Sequence, residues 1–203
     1  DGNSDNNFDA VDDQTVSVTT TDNDTAGFTV IESGGSTSVS EDGTTDTFTV
    51  VLNSEPISDV VIAITSSDSD ESTVSPSFLT FTSANWDTSQ TVTVTGADDD
   101  YADGTQSSTV TISVVDLSSD DSFDSLEDQT VSVTTADNDV AGFTIAETNG
   151  STSVSEGGST DTFTVVLDAQ PASDVVISIT SSDTGEATVT SELTFTSANW
   201  DTA

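Results

Sequence analysis

The chain has 203 residues, with 38 Asp and Glu and no Lys, Arg, His or Cys, for a formal net charge of −38. No imidazole acid–base, thiol nucleophile, disulfide or soft-metal site can form, and no cationic face exists for nucleic acid or an anionic membrane. Only carboxylate chemistry and binding of hard metals through oxygen survive. Val, Ile and Phe alternate with Thr and Ser, which is the period of strands and not of disorder. No apolar run is long enough for a membrane span or signal peptide.

Taken in chain order, the elements repeat with a period of about 115 residues. DQTVSVTT at 13–20 returns at 128–135, and DNDTAGFTV at 22–30 returns as DNDVAGFTI at 137–145. STSVSE at 36–41 returns at 151–156, and FTSANWDT at 81–88 returns at 195–202. Repeats of this length are tandem domains, not solenoid units. Residues 1–24 match the C-terminal end of a preceding repeat, 25–139 make one complete repeat, and 140–203 match the N-terminal part of the next. The two fragments together lack a counterpart of 89–115, so completion of one by the other between chains is poorly supported.

Within the complete repeat, alternation predicts strands over 26–40 (broken at Gly34–Gly35), 45–52, 58–65, 77–82, 89–96, 106–115 and 128–136. The expected fold is all-β: tandem immunoglobulin-like antiparallel β-sandwiches of about seven strands. Trp86 falls between strands and reads as a plug over one end of the core. Phe123 and Leu126 read as local plugs in the acidic loop 118–128, whose earlier copy is 4–13.

If the strands run up and down, the acids sort by pole. Glu41 and Asp42 meet Asp68, Asp70 and Glu71, then Asp98, Asp99, Asp100 and Asp103, then Asp137 and Asp139. Two carboxylates about 4 Å apart repel by about 4 kcal/mol at an effective dielectric near 20. A single acidic pair on a loop is ordinarily a solvated tip. Four converging segments without a base instead suit Ca²⁺, which takes about six to eight oxygen ligands in flexible geometry. Mg²⁺, with its stricter octahedron, comes second.

The order of VSE at 39–41, LTF at 79–81, TVTVTGADDD at 91–100 and a closing strand ending in DND at 137–139 resembles the Calx-β domain. That module occurs in sodium–calcium exchangers, integrin β4 and many bacterial surface proteins. The resemblance covers 25–139 and recurs in both fragments. It implies metal ligands at Glu41, Asp68 or Glu71, Asp98, Asp99, Asp100, Asp137 and Asp139. The matching positions in the fragments are Asp22 and Asp24 before the complete repeat, and Glu156, Asp183 and Glu186 after it. Gly157 and Gly185 replace Asp42 and Asp70, which places those two behind the matched pairs Glu41 and Glu156, Asp68 and Asp183, and Glu71 and Glu186.

The resulting expectation is a structural protein and not an enzyme. It would be a calcium-stabilised tandem-repeat shaft of a large secreted or cell-surface adhesin or extracellular fibre. The alternative is a module that binds glycan or another cell; a calcium sensor ranks third. Partners would be neighbouring repeats and other copies in a fibre. Outward threonines such as Thr91, Thr93 and Thr95 fit ordinary β propensity or O-glycosylation, and Asn23 and Asn149 lie in N-glycosylation sequons. Almost no linker separates 137–139 from the next repeat, so bound Ca²⁺ is expected to set the stiffness of the array.

Overall fold

The structure is a computed structural model that describes residues 5–8 and 11–203. Residues 4, 9 and 10 of the acidic loop copy at 4–13 lie outside the described residues. The complete repeat carries nine strands: β1 (Phe28–Glu32), β2 (Thr37–Ser40), β3 (Thr45–Leu52), β4 (Val60–Ser66), β5 (Ser72–Ser75), β6 (Phe78–Phe81), β7 (Gln90–Gly96), β8 (Gln106–Val114) and β9 (Gln129–Ala136). They form a four-stranded sheet in the order β1-β3-β7-β5 and a five-stranded sheet in the order β2-β9-β8-β4-β6.

Alternation along each strand explains the core. Phe48, Val50 and Leu52 of β3 and Val92 and Val94 of β7 point inward from one sheet. Val60, Ile62 and Ile64 of β4, with Val110 and Ile112 of β8 and Val131 and Val133 of β9, meet them from the other. The intervening Thr and Ser face outward, so hydroxyls cover the solvated faces. Trp86 packs against this core, and its carbonyl accepts from Leu52 N–H at 3.1 Å. Phe123 is buried in the core cluster with Leu126 beside it. All three aromatic and aliphatic plugs sit where the sequence puts them.

Two features depart from a simple seven-strand antiparallel meander. The first long strand switches sheets: β1 pairs antiparallel with β3, but β2 pairs parallel with β9. The switch is a 3-10 turn over Ser33–Gly35, where Gly34 and Gly35 take φ of 68° and 84°, conformations that favour a residue without Cβ. The stretch 72–81 likewise divides at Pro76, β5 pairing with β7 and β6 with β4. Proline has no N–H for a ladder, so the strand breaks there. Strand β5 escapes a sequence reading because STVS holds a single apolar residue.

Every sheet edge is short. The edge strands β1, β2, β5 and β6 have 5, 4, 4 and 4 residues, against 7 to 9 for β4, β7, β8 and β9 inside. Short edges limit edge-to-edge pairing, and this chain has no lysine to do it instead.

Residues 140–203 carry four further strands. β10 (Phe143–Glu147) pairs with β11 (Phe163–Leu167), and β12 (Val175–Ser178) pairs with β13 (Glu192–Phe195). Ahead of the sandwich, residues 11–24 form no strand, and Val16 is 86% exposed.

Candidate metal centre

Three long-range pairings assemble the acidic pole. The parallel register sets Ser40 beside Ala136, and Glu41 N–H donates to Ala136 O at 3.2 Å. Glu41 therefore begins its loop next to the residues that end β9, Asp137 and Asp139. From the other sheet, Gly96 lies against Ser40 so closely that a Cβ would overlap the Ser40 carbonyl. Gly96 N–H donates to Thr44 O at 3.1 Å, which delivers the loop 97–105 to the same place. Glu71 arrives at the head of β5, its carbonyl accepting from Ala97 N–H at 2.9 Å.

The centre of the cluster is Glu41, Asp137 and Asp139, each with a carboxylate oxygen within 4.8 Å of the others'. Glu41 is only 1% exposed. One of its oxygens accepts from Asn138 N–H at 3.0 Å. Asp137 is fixed by two backbone donors, Asp139 N–H and Gly104 N–H, each at 2.6 Å. The Asn138 side-chain amide reaches Asp42 at 3.4 Å and Asp98 at 3.3 Å. It joins two acidic loops by donating to both. Asp99 accepts from Tyr101 N–H at 2.7 Å, and Asp68 from Asp70 N–H at 3.1 Å.

Against these supported oxygens stand two at this pole that have nothing, and a third, Asp124 Oδ1, lies in the loop 118–128. Glu71 Oε2 and Asp139 Oδ2 are buried without a hydrogen-bond partner. An unpaired buried anion is among the costliest groups a fold can carry. Burial raises the pKa of Glu41 above the ordinary glutamate value, and the charges of Asp137, Asp99 and Asp103 add to it. Glu71 is raised by burial first and then by Asp103, Asp99, Asp68 and Glu41. Asp139 is raised by burial and then by Asp137, Asp100, Asp98 and Asp99. A sequence without Lys, Arg or His offers no side-chain cation to relieve any of them. The donor set is hard oxygen throughout, clustered, partly buried and short of positive charge, the kind of set that could hold a hard metal ion.

The remaining sequence-derived candidates lie elsewhere. Asp22 and Asp24 repeat the Asp137–Asp139 turn, with Asp24 N–H donating to Asp22 at 3.0 Å. They line a crevice at the opposite pole with Glu55, Asp120 and Ser122. Glu156, Asp183 and Glu186 are all exposed. Asp183 keeps the local turn of Asp68, accepting from Gly185 N–H at 2.9 Å.

Three acids hold the frame, and the sequence reading did not single them out. Asp120 is buried and accepts from Ile57, Ser58 and Ser122 N–H at 2.6, 3.0 and 2.9 Å. These bonds, those from Ser122 and Ser58 most strongly, hold its carboxyl below the usual range. Asp46 accepts from the Ser33 hydroxyl and from Ser38 and Thr47 N–H, which pins the sheet switch and lowers its pKa. Asp161 repeats the clasp with Ser153 and Thr162 N–H at 2.9 and 2.8 Å. The only signal in the sequence is that TDTFTV at 45–50 and TDTFTV at 160–165 both keep an acid within a strand of hydroxyls and apolar residues.

No family model and no curated protein matches the sequence. Among the described residues, no helix is long and apolar enough to cross a membrane. Among solved structures, the chain is similar to an MSP-domain protein from Caenorhabditis elegans, at 16% identity over 53% of this chain and 97% of that one, with a TM-score of 0.35. Domains 4 and 5 of the S-layer protein SbsC match at 21% identity over 56% of this chain and 54% of theirs, with a TM-score of 0.36. The E. coli chaperone DraB matches at 10% identity over 75% of this chain and 90% of its own, with a TM-score of 0.38. The fold is an immunoglobulin-like β-sandwich in a tandem, all-β chain.

Proposed function

We propose that residues 25–139 are a Calx-β-like domain that binds Ca²⁺ at the pole built by Glu41, Asp137 and Asp139. The chain would belong to a calcium-stabilised tandem array, the shaft of a secreted or cell-surface adhesin or extracellular fibre. The observation that carries the reading is the pairing of Glu41, 1% exposed, with two buried carboxylate oxygens that have no partner, Glu71 Oε2 and Asp139 Oδ2. Glu41, Asp137 and Asp139 would hold the ion, with Glu71 and the carboxylates of 98–100 completing its oxygen shell. Bound calcium supplies the positive charge that the sequence lacks. The chain's own contribution is to hold Asp137 with two backbone N–H groups and to tie the loops of Asp42 and Asp98 together through Asn138.

The shaft reading rests on near-identical repetition and on the tight junction at 137–143, since a spacer is built by copying and a recognition domain is usually distinct. Calorimetric titration of the chain with Ca²⁺, paired with thermal melts in calcium and in chelator, tests the metal. Heat of binding and a raised midpoint are expected, and their joint absence would sink the proposal. A titration with Mg²⁺ should show weaker binding. Electron microscopy of longer arrays should show uniform extended rods rather than compact particles.

A further inference from the structure

The loop that carries Asp98, Asp99 and Asp100 is also where the next repeat touches. Gln170 N–H donates to Asp100 O at 2.7 Å, and Tyr101 and Gln170 form a parallel β-bridge. Gln170 lies in the turn that follows β11, and Ala102 closes a cleft of about 520 Å³ against that turn and the linker residues Ala141 and Gly142. The contact is made by main chain, so it reads the shape of the turn and not its side chains.

The equivalent turn in the complete repeat follows β3 and contains Ser54, Glu55 and Pro56. Both repeats are entered in the same way. Asn53 N–H donates to Gly27 O at 2.9 Å, and Asp168 N–H donates to Gly142 O at 3.0 Å. The two turns differ in what covers them. The contrast lies at two positions: Ala169 is buried and Gln170 half-buried, whereas Ser54 is half-buried and Glu55 exposed; Pro56 is buried, and Ile57 and its copy Ala172 are both exposed. Glu55 N–H has no acceptor among the described residues. Just ahead of it, residues 11–24 copy 126–139 in sequence, so the chain before Glu55 is the end of a repeat of the same kind.

We propose that the turn after the second long strand of each repeat is an inter-repeat docking surface. Its partner is the acidic loop between the strands equivalent to β7 and β8 of the repeat before it. Gln170 shows the surface engaged, and Ser54–Glu55 is the equivalent position in the complete repeat. A main-chain bond from the residue at this position sets the rotational register between successive repeats. The Gln170 side chain also donates to Ser197 O at 3.1 Å within its own repeat, a bond Glu55 cannot copy, but the inter-repeat bond is a main-chain one that either residue can make. Glu55 differs in adding a carboxylate to a junction already rich in them, which makes the junction it forms the more salt-sensitive of the two.

This inference stands apart from the calcium proposal, because it concerns a backbone contact and is read on a different group. Amide hydrogen exchange resolved by NMR on the intact chain tests it. Gln170 N–H is expected to exchange at least tenfold more slowly than Glu55 N–H after correction for intrinsic rates. Equal rates would overturn the proposal, whatever calorimetry says about calcium. A second arm places a copy of residues 25–115 ahead of residue 1, which completes the tail into a full repeat. Glu55 N–H should then slow to the rate of Gln170 in the original chain, and an unchanged Glu55 rate would also overturn it. In a Gln170→Pro variant the donor is lost, and exchange across 97–105 should accelerate while the melting of the complete sandwich stays put.

Discussion

STSVSE occurs twice, and its two copies end in different structures. At 36–41 it forms β2, pairs in parallel with β9 and buries Glu41. At 151–156 it forms no strand, and Glu156 is exposed. The hairpins show the opposite behaviour. β10 pairs with β11 in the same register as β1 with β3, Phe143 facing Leu167 as Phe28 faces Leu52. Local sequence is thus enough for the hairpins. Strands with distant partners behave differently: β2 pairs with β9 and β5 with β7, and the 203 residues include no copy of those partners after residue 140. The candidate metal centre belongs wholly to the second class, because each of its loops is delivered by a long-range pairing.

The largest test of this contrast is a core deletion made at matched positions. Phe48 is completely buried between the sheets, and Phe163, its copy, is half-buried against a small cluster with Val165, Leu167 and Phe195. Phe48→Ala should destabilise the complete sandwich by about 3–5 kcal/mol in a denaturant melt. Phe163→Ala should leave that transition unmoved. If both variants shift it equally, the two repeats share one cooperative unit and the contrast fails.

Asp120 offers a test of similar kind but smaller size. Asp120→Ala strips partners from Ile57 and Ser58 N–H and should cost about 3 kcal/mol, as expected for loss of charge-assisted bonds to buried donors. Its copy in the preceding tail, Asp5, is exposed and, among the described residues, its carboxylate accepts only from the nearby Asn7 N–H, so Asp5→Ala should stay within about 0.5 kcal/mol, the usual range for a surface change. Thermal melts of the two variants, compared with the parent, decide it.

Calcium should divide the repeats next. At roughly a hundred times the dissociation constant, binding adds about 2.7 kcal/mol to the stability of the state that binds. The gain should vanish in Glu41→Gln and survive in Glu156→Gln, because only Glu41 is gathered with Asp137 and Asp139. Melting in calcium and in chelator reads both variants, and loss of the gain in Glu156→Gln would move the site to the second repeat.

How much of this could be read from the residues alone follows the same division. Alternation placed β3 at 45–52 to the residue, and Gly34–Gly35 marked the sheet switch, because both are written in local periodicity and φ preference. The acids of the pole could be gathered from strand direction alone, since each strand reversal returns the loops to one end. The parallel pairing of β2 with β9 was not legible. Nothing in STSVSE distinguishes a strand that stays in its sheet from one that crosses, and that pairing sets Glu41 beside Asp137. The repeat itself ranks Asp42 and Asp70 behind Glu41, Asp68 and Glu71, since Gly157 and Gly185 replace them; what the sequence does not show is the Gly96 approach and the burial that single out Glu41 among the preferred acids. Asn138 was passed over between two acids, although it supplies the amide that links Asp42 and Asp98.

The smallest effect is one of pH, and its sign separates the two kinds of acid. Without metal, burial raises Glu41, Glu71 and Asp139 above the ordinary values of 4.5, 4.5 and 3.8. A raised carboxyl is protonated more readily in the folded state than in the unfolded one, so the native state binds more protons over that window. Stability contributed by these groups is therefore highest at low pH and falls as pH rises from the ordinary values through the raised ones. Asp120, Asp46 and Asp161 are lowered. Their contribution is full above the ordinary value of 3.8 and is lost as pH falls through their lowered ones. The chelated chain should then melt highest in mild acid and lose stability on both sides. Calcium should lift the neutral side alone, since it compensates ionised Glu41, Glu71 and Asp139 and touches none of the three clasping aspartates. Glu41→Gln should flatten the neutral decline in chelator and leave the acid limb as it is. A neutral decline that persists undiminished in Glu41→Gln would trace it to Glu71, Asp139 and the likewise raised Asp124, and the place of Glu41 at the centre of the site would go with it.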